Sequence, residues 1–335
     1  MAKEFQIIGR DGTPPRSGQF YDLTIHPSVQ GFPAKTVESF VGMNASIRTN
    51  HERLGSVYAE HLINSKTAIL TTADRALSRV PDGKKKKALI LGAGNCLDIP
   101  LAELADRFDE VKLVEVDHES TQRAVRELSL DRQRKIEIVA ADVTGIVGEL
   151  AGKIQHEMRS PLQPFLGNAA KRVGEIEVSE KAPDLGDNYT FVCSQLIMTQ
   201  LASLPHDYLY SAVRERYGVN LSSMPGGADH ELFMNLQKLT LDLQQEHIKQ
   251  LARFADAEGT VHLADTYAKV LPVPGSTQPQ ILPMVLANLI DPVINQEFTI
   301  VPQEPDFWLW DNMPGTYKFA VLAKSLDPKT KEGII

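Results

Sequence analysis

Cysteine is nearly absent: Cys96 and Cys193 are the two in 335 residues, and neither lies in a CxxC pair or a histidine-rich cluster. Neither a disulfide framework nor a structural zinc site is indicated, and no resident metal is expected. Basic excess is missing too. With 35 Lys and Arg against 43 Asp and Glu, formal net charge −8, the chain offers no broad phosphate-binding face, so nucleic acid is not an expected partner. No segment approaches the roughly 18 apolar residues that span a bilayer, and the opening MAKEFQIIGRDGTPPRSG lacks the apolar stretch of a signal peptide. These absences lead to the expectation of a cytoplasmic protein with reduced thiols and no membrane partner.

What is present is enough apolar residue, 42%, to build one large core with additions. Pro14, Pro15, Pro27 and Pro33 mark the first thirty or so residues as an irregular arm. From Lys35 to Val80 apolar residues recur at three- and four-residue intervals without proline, which predicts two or three amphipathic helices. Residues 1–83 are thus expected to form an arm and a helical cap, and residues 84–335 the main domain.

Strand and helix patterns then alternate. KALILG, VKLVEVD and KIEIVAADV are strand runs, with helices expected between them, the first carrying Leu97, Leu101, Leu104 and Phe108 with Pro100 in its first turn. Residues 146–187 are polar, contain three prolines and are too long for a simple crossover, so they are expected to hold one or two helices as an insertion. NYTFVCSQ resumes the sheet, a long helix is expected over His230 to Ala257, and GTVHLADTYAKV follows as a fifth strand. After a proline-rich connection come FTIVPQ and TYKFAVLAKS, expected as an antiparallel hairpin around a loop containing Trp308, Trp310 and Pro314. The fold class is α/β: a doubly wound, mostly parallel seven-stranded sheet with a terminal antiparallel hairpin and an N-terminal helical cap.

The chemistry-bearing stretch is ALILGAGNCLDIPL. A strand running into Gly92-Ala93-Gly94 before a helix lets backbone approach a ligand closely. A dinucleotide turn would want a small residue at position 97, where Leu97 stands. Two acids follow at successive strand ends, Glu115 where a carboxylate can take both ribose hydroxyls and Asp142 where one can take the adenine amine. Asp117 is an alternative to Glu115.

On those residues the chain resembles the class I S-adenosyl-L-methionine-dependent methyltransferases. The resemblance runs from Lys87 to Asp142 and on through NYTFVCSQLIMTQL. It implies S-adenosyl-L-methionine as cofactor, held by Gly92, Ala93 and Gly94 at its methionine portion, by Glu115 at the ribose and by Asp142 at the adenine, with Asn95, Val116 and Val143 beside them. Ser194 and Gln195 occupy the place that faces the transferred methyl group; helix capping by Ser194 and a solvent-facing Gln195 is the competing reading. The family's usual acid two residues before the first glycine is here Ile90, and its third glycine is Cys96. Asp98, placed on the first turn of the next helix, either takes over the ligand's ammonium or serves only the helix dipole.

In-line methyl transfer needs orientation and desolvation, so no catalytic residue is identified from sequence. His51, Tyr58 and His61, or His206 and Asp207, could line an acceptor pocket, though core or surface roles suit each of them; Trp308 and Trp310 are expected to pack. Lys84 to Lys87, without interleaved aromatics, suggest a solvated turn. A covered pocket implies a small-molecule acceptor, and a homodimer is kept as an option. Two other readings stay open: aminopropyl transfer of the spermidine-synthase kind, against which FVCSQL carries no paired acids, and a non-catalytic protein that binds an adenosine ligand.

Overall fold

A computed structural model describes residues 20–29, 34–179, 181–219, 221, 228–273, 278–285, 287–313 and 316–329. Pro14, Pro15, Pro33 and Pro314 lie outside the described residues.

The chain begins with β1 (Asp22–Ile25), then α1 (Ala34–Arg53) and α2 (Gly55–Ser78). The alternating core follows as β2 (Lys87–Leu91), α3 (Leu101–Arg107), β3 (Glu110–Val114), α4 (His118–Arg126), α5 (Leu130–Gln133) and β4 (Ile136–Ala140). Two helices, α6 (Val147–Glu157) and α7 (Leu162–Gly174), precede β5 (Tyr189–Gln195). Next are α8 (Ser203–Tyr217), α9 (Ala228–Phe254), β6 (Ala255–Leu271), β7 (Gln280–Pro283), α10 (Ala287–Glu297), β8 (Phe298–Val301), β9 (Phe307–Met313) and β10 (Tyr317–Pro328).

The strands join one sheet in the order β1-β4-β3-β2-β5-β6-β10-β8, with β7 paired to β6 and β9 to β10. Every pairing from β1 to β6 is parallel, and β10 is antiparallel to β6, β8 and β9. Parallel strands buried on both faces show up in sequence as unbroken apolar runs, which is why the KALIL of β2 has four of its five residues buried. Alternate β2 residues serve different cores. Ala88 and Ile90 pack with Ile69 of α2 and Leu104 of α3, whereas Leu89 and Leu91 pack with Leu150 of α6, Phe165 of α7 and Leu251 of α9. Among the described residues no helix is long and apolar enough to cross a membrane.

Several elements differ from expectation. The described sheet has ten strands rather than seven, because β1, β7 and β9 join it. Trp308 and Trp310 are not in a hairpin loop but in β9, opposite Val321 and Phe319 of β10. From Phe307 to Trp310 exposed and inward side chains alternate with a strand's period of two, and the inward Trp308 and Trp310 pack under α2 with Ala68. The outer neighbour of β10 is therefore split, β9 against its first half and β8 against its last residues. Helix α9 stops at Phe254, three residues short of the expected end, where β6 takes up the chain. The proline-rich connection holds β7 and α10, the latter with Pro292 inside it.

Helix α2 is tied to β9 by a polar contact inside apolar surroundings. His61, 3% exposed, accepts the Trp308 Nε1–H on Nδ1 at 2.9 Å and stacks on Trp310 with ring centroids 4.2 Å apart. An indole N–H can only donate, so the ring is neutral there, and burial lowers its pKa to about 3. The unfolded chain would bind a proton at this residue below about pH 6.5 while the folded chain would not. The stability His61 gives is complete above that pH and is lost as pH falls toward 3. We expect His61→Gln to flatten the acid limb of a urea stability–pH profile by about 1.4 kcal/mol per pH unit between about pH 4 and 6. An acid limb as steep as the wild type's would contradict this.

Candidate functional site

Strand order reverses beside β2: β3 and β4 lie to one side and β5 to the other, so the loops leaving β2 and β5 part at the carboxyl edge of the sheet, the place where sheets of this topology open a crevice. The glycine turn lies in that gap. Gly92 and Gly94 hold φ of 70° and 49°, and Cys96, with φ 54°, is the rarer case of a side-chain-bearing residue in the left-handed region. A Cβ on Gly92 would come within 2.9 Å of Ile197 Cδ1, so this position needs glycine for space as well as for backbone angle.

The turn is fastened to β3. The Gly92 and Ala93 N–H groups both donate to the Val114 carbonyl, at 3.0 and 3.2 Å. The Gly94 N–H donates to Glu115 Oε2 at 2.8 Å, and Glu115 Oε1 accepts the Asp117 N–H at 3.1 Å. Glu115 is half-buried, and loss of solvent raises its pKa against these backbone donors. From the next helix, Thr121 Oγ1 donates to the Gly94 carbonyl at 2.9 Å.

Asp117 does different work. Its carboxylate is 2% exposed and accepts from Ser120 N–H, Ser120 Oγ and Asn44 Nδ2, the last at 3.0 Å. It is the N-cap of α4 and not a spare for Glu115. Asn44 belongs to α1, and its carbonyl accepts from Asn95 Nδ2 at 2.9 Å, so α1 lies across the glycine turn. Asn44 is also the one buried residue among the described side chains of α1. Val116, between the two acids, is partly buried.

Asp142 is 1% exposed and its oxygens are taken: Oδ1 by Thr144 N–H and Oγ1, Oδ2 by Val147 N–H at the start of α6. It shapes the loop beyond β4, with Val143 partly buried beside it, and its own N–H donates to Ser28 Oγ at 3.0 Å.

Asp98 is not on a helix. Pro100 confines Ile99 to extended backbone, so α3 starts only at Leu101, and Leu97 and Asp98 fall in the irregular turn before it. The dipole explanation for Asp98 goes with that helix position. Burial raises the Asp98 pKa, opposed by a hydrogen bond from the Gln195 side chain.

Ser194 and Gln195 are the last residues of β5 and are 0% and 4% exposed, so neither caps a helix or faces solvent. Ser194 Oγ is 2.8 Å from His247 Nε2 of α9. Gln195 reaches to the opposite face, where Nε2 donates to Ser65 Oγ of α2 and Oε1 accepts from His262 Nε2 of β6, both at 3.1 Å.

His51, Tyr58, His61 and Trp310 form a chain of ring contacts with Trp308 alongside. They fill one another's faces as packing. His206 instead meets Thr240 and Tyr210 on the face carrying α8 and α9, with Asp207 exposed beside it. In the lysine run Lys84 pairs with Asp256 at 2.6 Å and Lys85 with Glu110 at 2.5 Å, while Lys87 Nζ donates to the Asp187 carbonyl, which places these charges at the opposite end of the strands from the glycine turn.

Asn44, Thr121, His247 and His262 were missed from sequence. A histidine inside the apolar run TVHLAD carried a usable signal, since a buried ring nitrogen needs a partner. The other three had none that separates them from surface residues.

No family model matches the chain, and no curated protein does. Among solved structures it is similar to the ribosomal protein L11 methylase of Lactobacillus delbrueckii subsp. bulgaricus, with 10% identity, TM-score 0.34 and coverage of 78% of this chain and 79% of that one. It is also similar to a TehB-like SAM-dependent methyltransferase of Corynebacterium glutamicum, with 11% identity, TM-score 0.33 and coverage of 84% and 98%. A third is the glycopeptide N-methyltransferase MtfA complexed with S-adenosyl-L-methionine, with 9% identity, TM-score 0.31 and coverage of 78% and 94%.

Removing the Asp117 carboxylate would strip a helix cap and strand the buried amide of Asn44. Asp117→Ala is expected to cost about 2 to 3 kcal/mol in urea denaturation. A cost of about 0.5 kcal/mol or less would show that neither contact matters to the fold.

Proposed function

We propose that this chain is an S-adenosyl-L-methionine-dependent methyltransferase that transfers the methyl group in line to a small-molecule acceptor. The observation that supports this most is the junction of Gly94 and Glu115: an acid just beyond the second strand of the alternating core is locked by the glycine turn at 2.8 Å, at the reversal of strand order. The Glu115 carboxylate accepts from the backbone N–H groups of Asp117, Gly94 and Val116, and with about four lone-pair sites it keeps capacity for the vicinal hydroxyls of a ribose. The fit differs from the family pattern at Asp142, whose carboxylate is spent on Thr144 and Val147. We assign Asp142 the bracing of an adenine loop whose ligand-facing part is Val143.

Bound in this crevice, the cofactor would supply a methyl group on a cationic sulfur, an electrophile that calls for alignment and dryness more than for a protein nucleophile. Gly92, Ala93, Gly94 and Asn95 would seat its chain, Glu115 and Val116 its ribose, and Ser194 and Gln195 would bound the end where transfer occurs. Asn44 on α1 and Ser65 on α2 close the crevice from above. Such a cover excludes water and suits a small acceptor. In this reading residues 84–335 are the transferase domain, with 146–187 as its insertion, and residues 1–83 supply the cap. Both cysteines are free and buried, in keeping with a reducing, cytoplasmic setting.

Calorimetric titration with S-adenosylhomocysteine tests this. The wild type is expected to bind it and to ignore NAD, and Glu115→Ala should lose about tenfold or more in affinity through two charge-assisted hydrogen bonds. Wild-type affinity in Glu115→Ala would sink the site assignment.

A further inference from the structure

Helix α1 spans 20 residues, yet Asn44 is the one side chain it buries among those described. Helix α2, joined to it, buries eight, from Tyr58 to Ala76, and packs against β6 and β9. Most of a helix's stability in a folded chain comes from the face it packs, so α2 is held firmly and α1 weakly. What holds α1 to the glycine turn is polar and local. Asn44 Nδ2 donates to Asp117 Oδ2 at 3.0 Å, and the Asn44 carbonyl accepts from Asn95 Nδ2 at 2.9 Å. A carboxylate can only accept, so the Nδ2 end is fixed on Asp117 and Oδ1 turns to the glycine turn, 3.7 Å from where a Cβ on Gly94 would stand.

Val41 and Ile47 lie three residues to either side of Asn44, about 60° around the helix from it. They belong to the tethered side of α1, where apolar side chains normally enter a core. Both are instead exposed, at 39% and 36%, and neither joins an apolar cluster. The break between the two helices is narrow. Helix α1 ends at Arg53, Leu54 follows with φ −117° and ψ 26°, and α2 starts at Gly55, where an added Cβ would meet nothing within 4 Å. A change of backbone angle at Leu54 and Gly55 re-aims α1 while α2 keeps its packing. Releasing Asn44 also leaves Asp117 capped, because Ser120 N–H and Oγ still donate to it.

We propose that α1 is a lid over the crevice, hinged at Leu54 and Gly55 and latched by Asn44, and that a ligand seated on the glycine turn closes it by giving Val41 and Ile47 a surface to bury against. Entry and release of the ligand then require Asn44 to let go of Asp117. The inference rests on the adenosine-ligand reading of the crevice and adds to it how access is controlled.

Hydrogen exchange followed by mass spectrometry tests the lid on the wild-type protein. Without ligand, amides of residues 45–53 should exchange about tenfold faster or more than those of residues 65–76, and saturating S-adenosylhomocysteine should slow the α1 set by about tenfold. Chase of labelled S-adenosylhomocysteine with unlabelled ligand then tests the latch and the apolar pair. Asn44→Ala should release it about tenfold faster. Val41→Ser combined with Ile47→Ser should release it about threefold faster or more at an unchanged melting temperature, since both side chains are exposed in the free protein. That double variant decides the matter if Asn44→Ala does not fold. Bound S-adenosylhomocysteine that protects the glycine turn without slowing α1, or variants that release it no faster than the wild type, overturn the lid and leave the crevice reading intact. Failure of the wild type to bind S-adenosylhomocysteine overturns both.

Discussion

The reversal of strand order beside β2 is the constraint on which the rest of the structure depends. The chain leaving β2 and the chain leaving β5 part there, so the backbone groups of the glycine turn need partners, and they find them on the side of β3. The Gly92, Ala93 and Gly94 N–H groups donate to Val114 and Glu115, the Gly94 carbonyl accepts from Thr121, and the Asn95 side chain donates to the Asn44 carbonyl of α1. Glycine at position 92 admits Ile197 from the loop beyond β5, so both walls of the crevice are fixed by one residue that has no side chain.

Around that turn, buried polar groups are used as struts. Asp117 and Asp142 each anchor the start of a helix, and Asp265 of β6 ties the chain beyond β5 through Thr199 N–H and Oγ1 at 2.9 and 2.6 Å. Burial raises the pKa of Asp142 and of Asp265, and hydroxyl and backbone N–H donors, from Thr144 and Val147 on the first and from Thr199 and Thr266 on the second, oppose it. Glu115 differs from these struts: it remains half-buried and accepts from backbone N–H groups alone. In the proposed function that contrast is what separates it from the supporting acids.

The central strands were legible because parallel strands covered on both faces are dominated by apolar residues, as the KALIL of β2 and the IEIVA of β4 are. Glu115 was legible for a related reason: an acid directly after such a run has little choice but to stand at the strand tip. Elements that broke these rules escaped. β7 is exposed at all four residues and offers no alternation, α10 carries Pro292 within it, and β9 ends close to Pro314 and Gly315, which have the composition of a turn. The helix after the glycine turn was placed too early because the restraint Pro100 puts on Ile99 was outweighed by leucine spacing. Gln195 was named from sequence, but its partners were beyond reach of any local pattern, since Ser65 and His262 lie 130 and 67 residues away in sequence.

The central claim is that a ligand with an adenosine end and a sulfur lies along the carboxyl edge of the sheet, its ribose on Glu115. A crystal structure of the protein grown with S-adenosylhomocysteine tests this most directly. The account predicts ribose hydroxyls within hydrogen-bonding distance of the Glu115 carboxylate and the sulfur between the ends of β2 and β5. Ligand density elsewhere on the molecule, or a ribose that avoids Glu115, would contradict it.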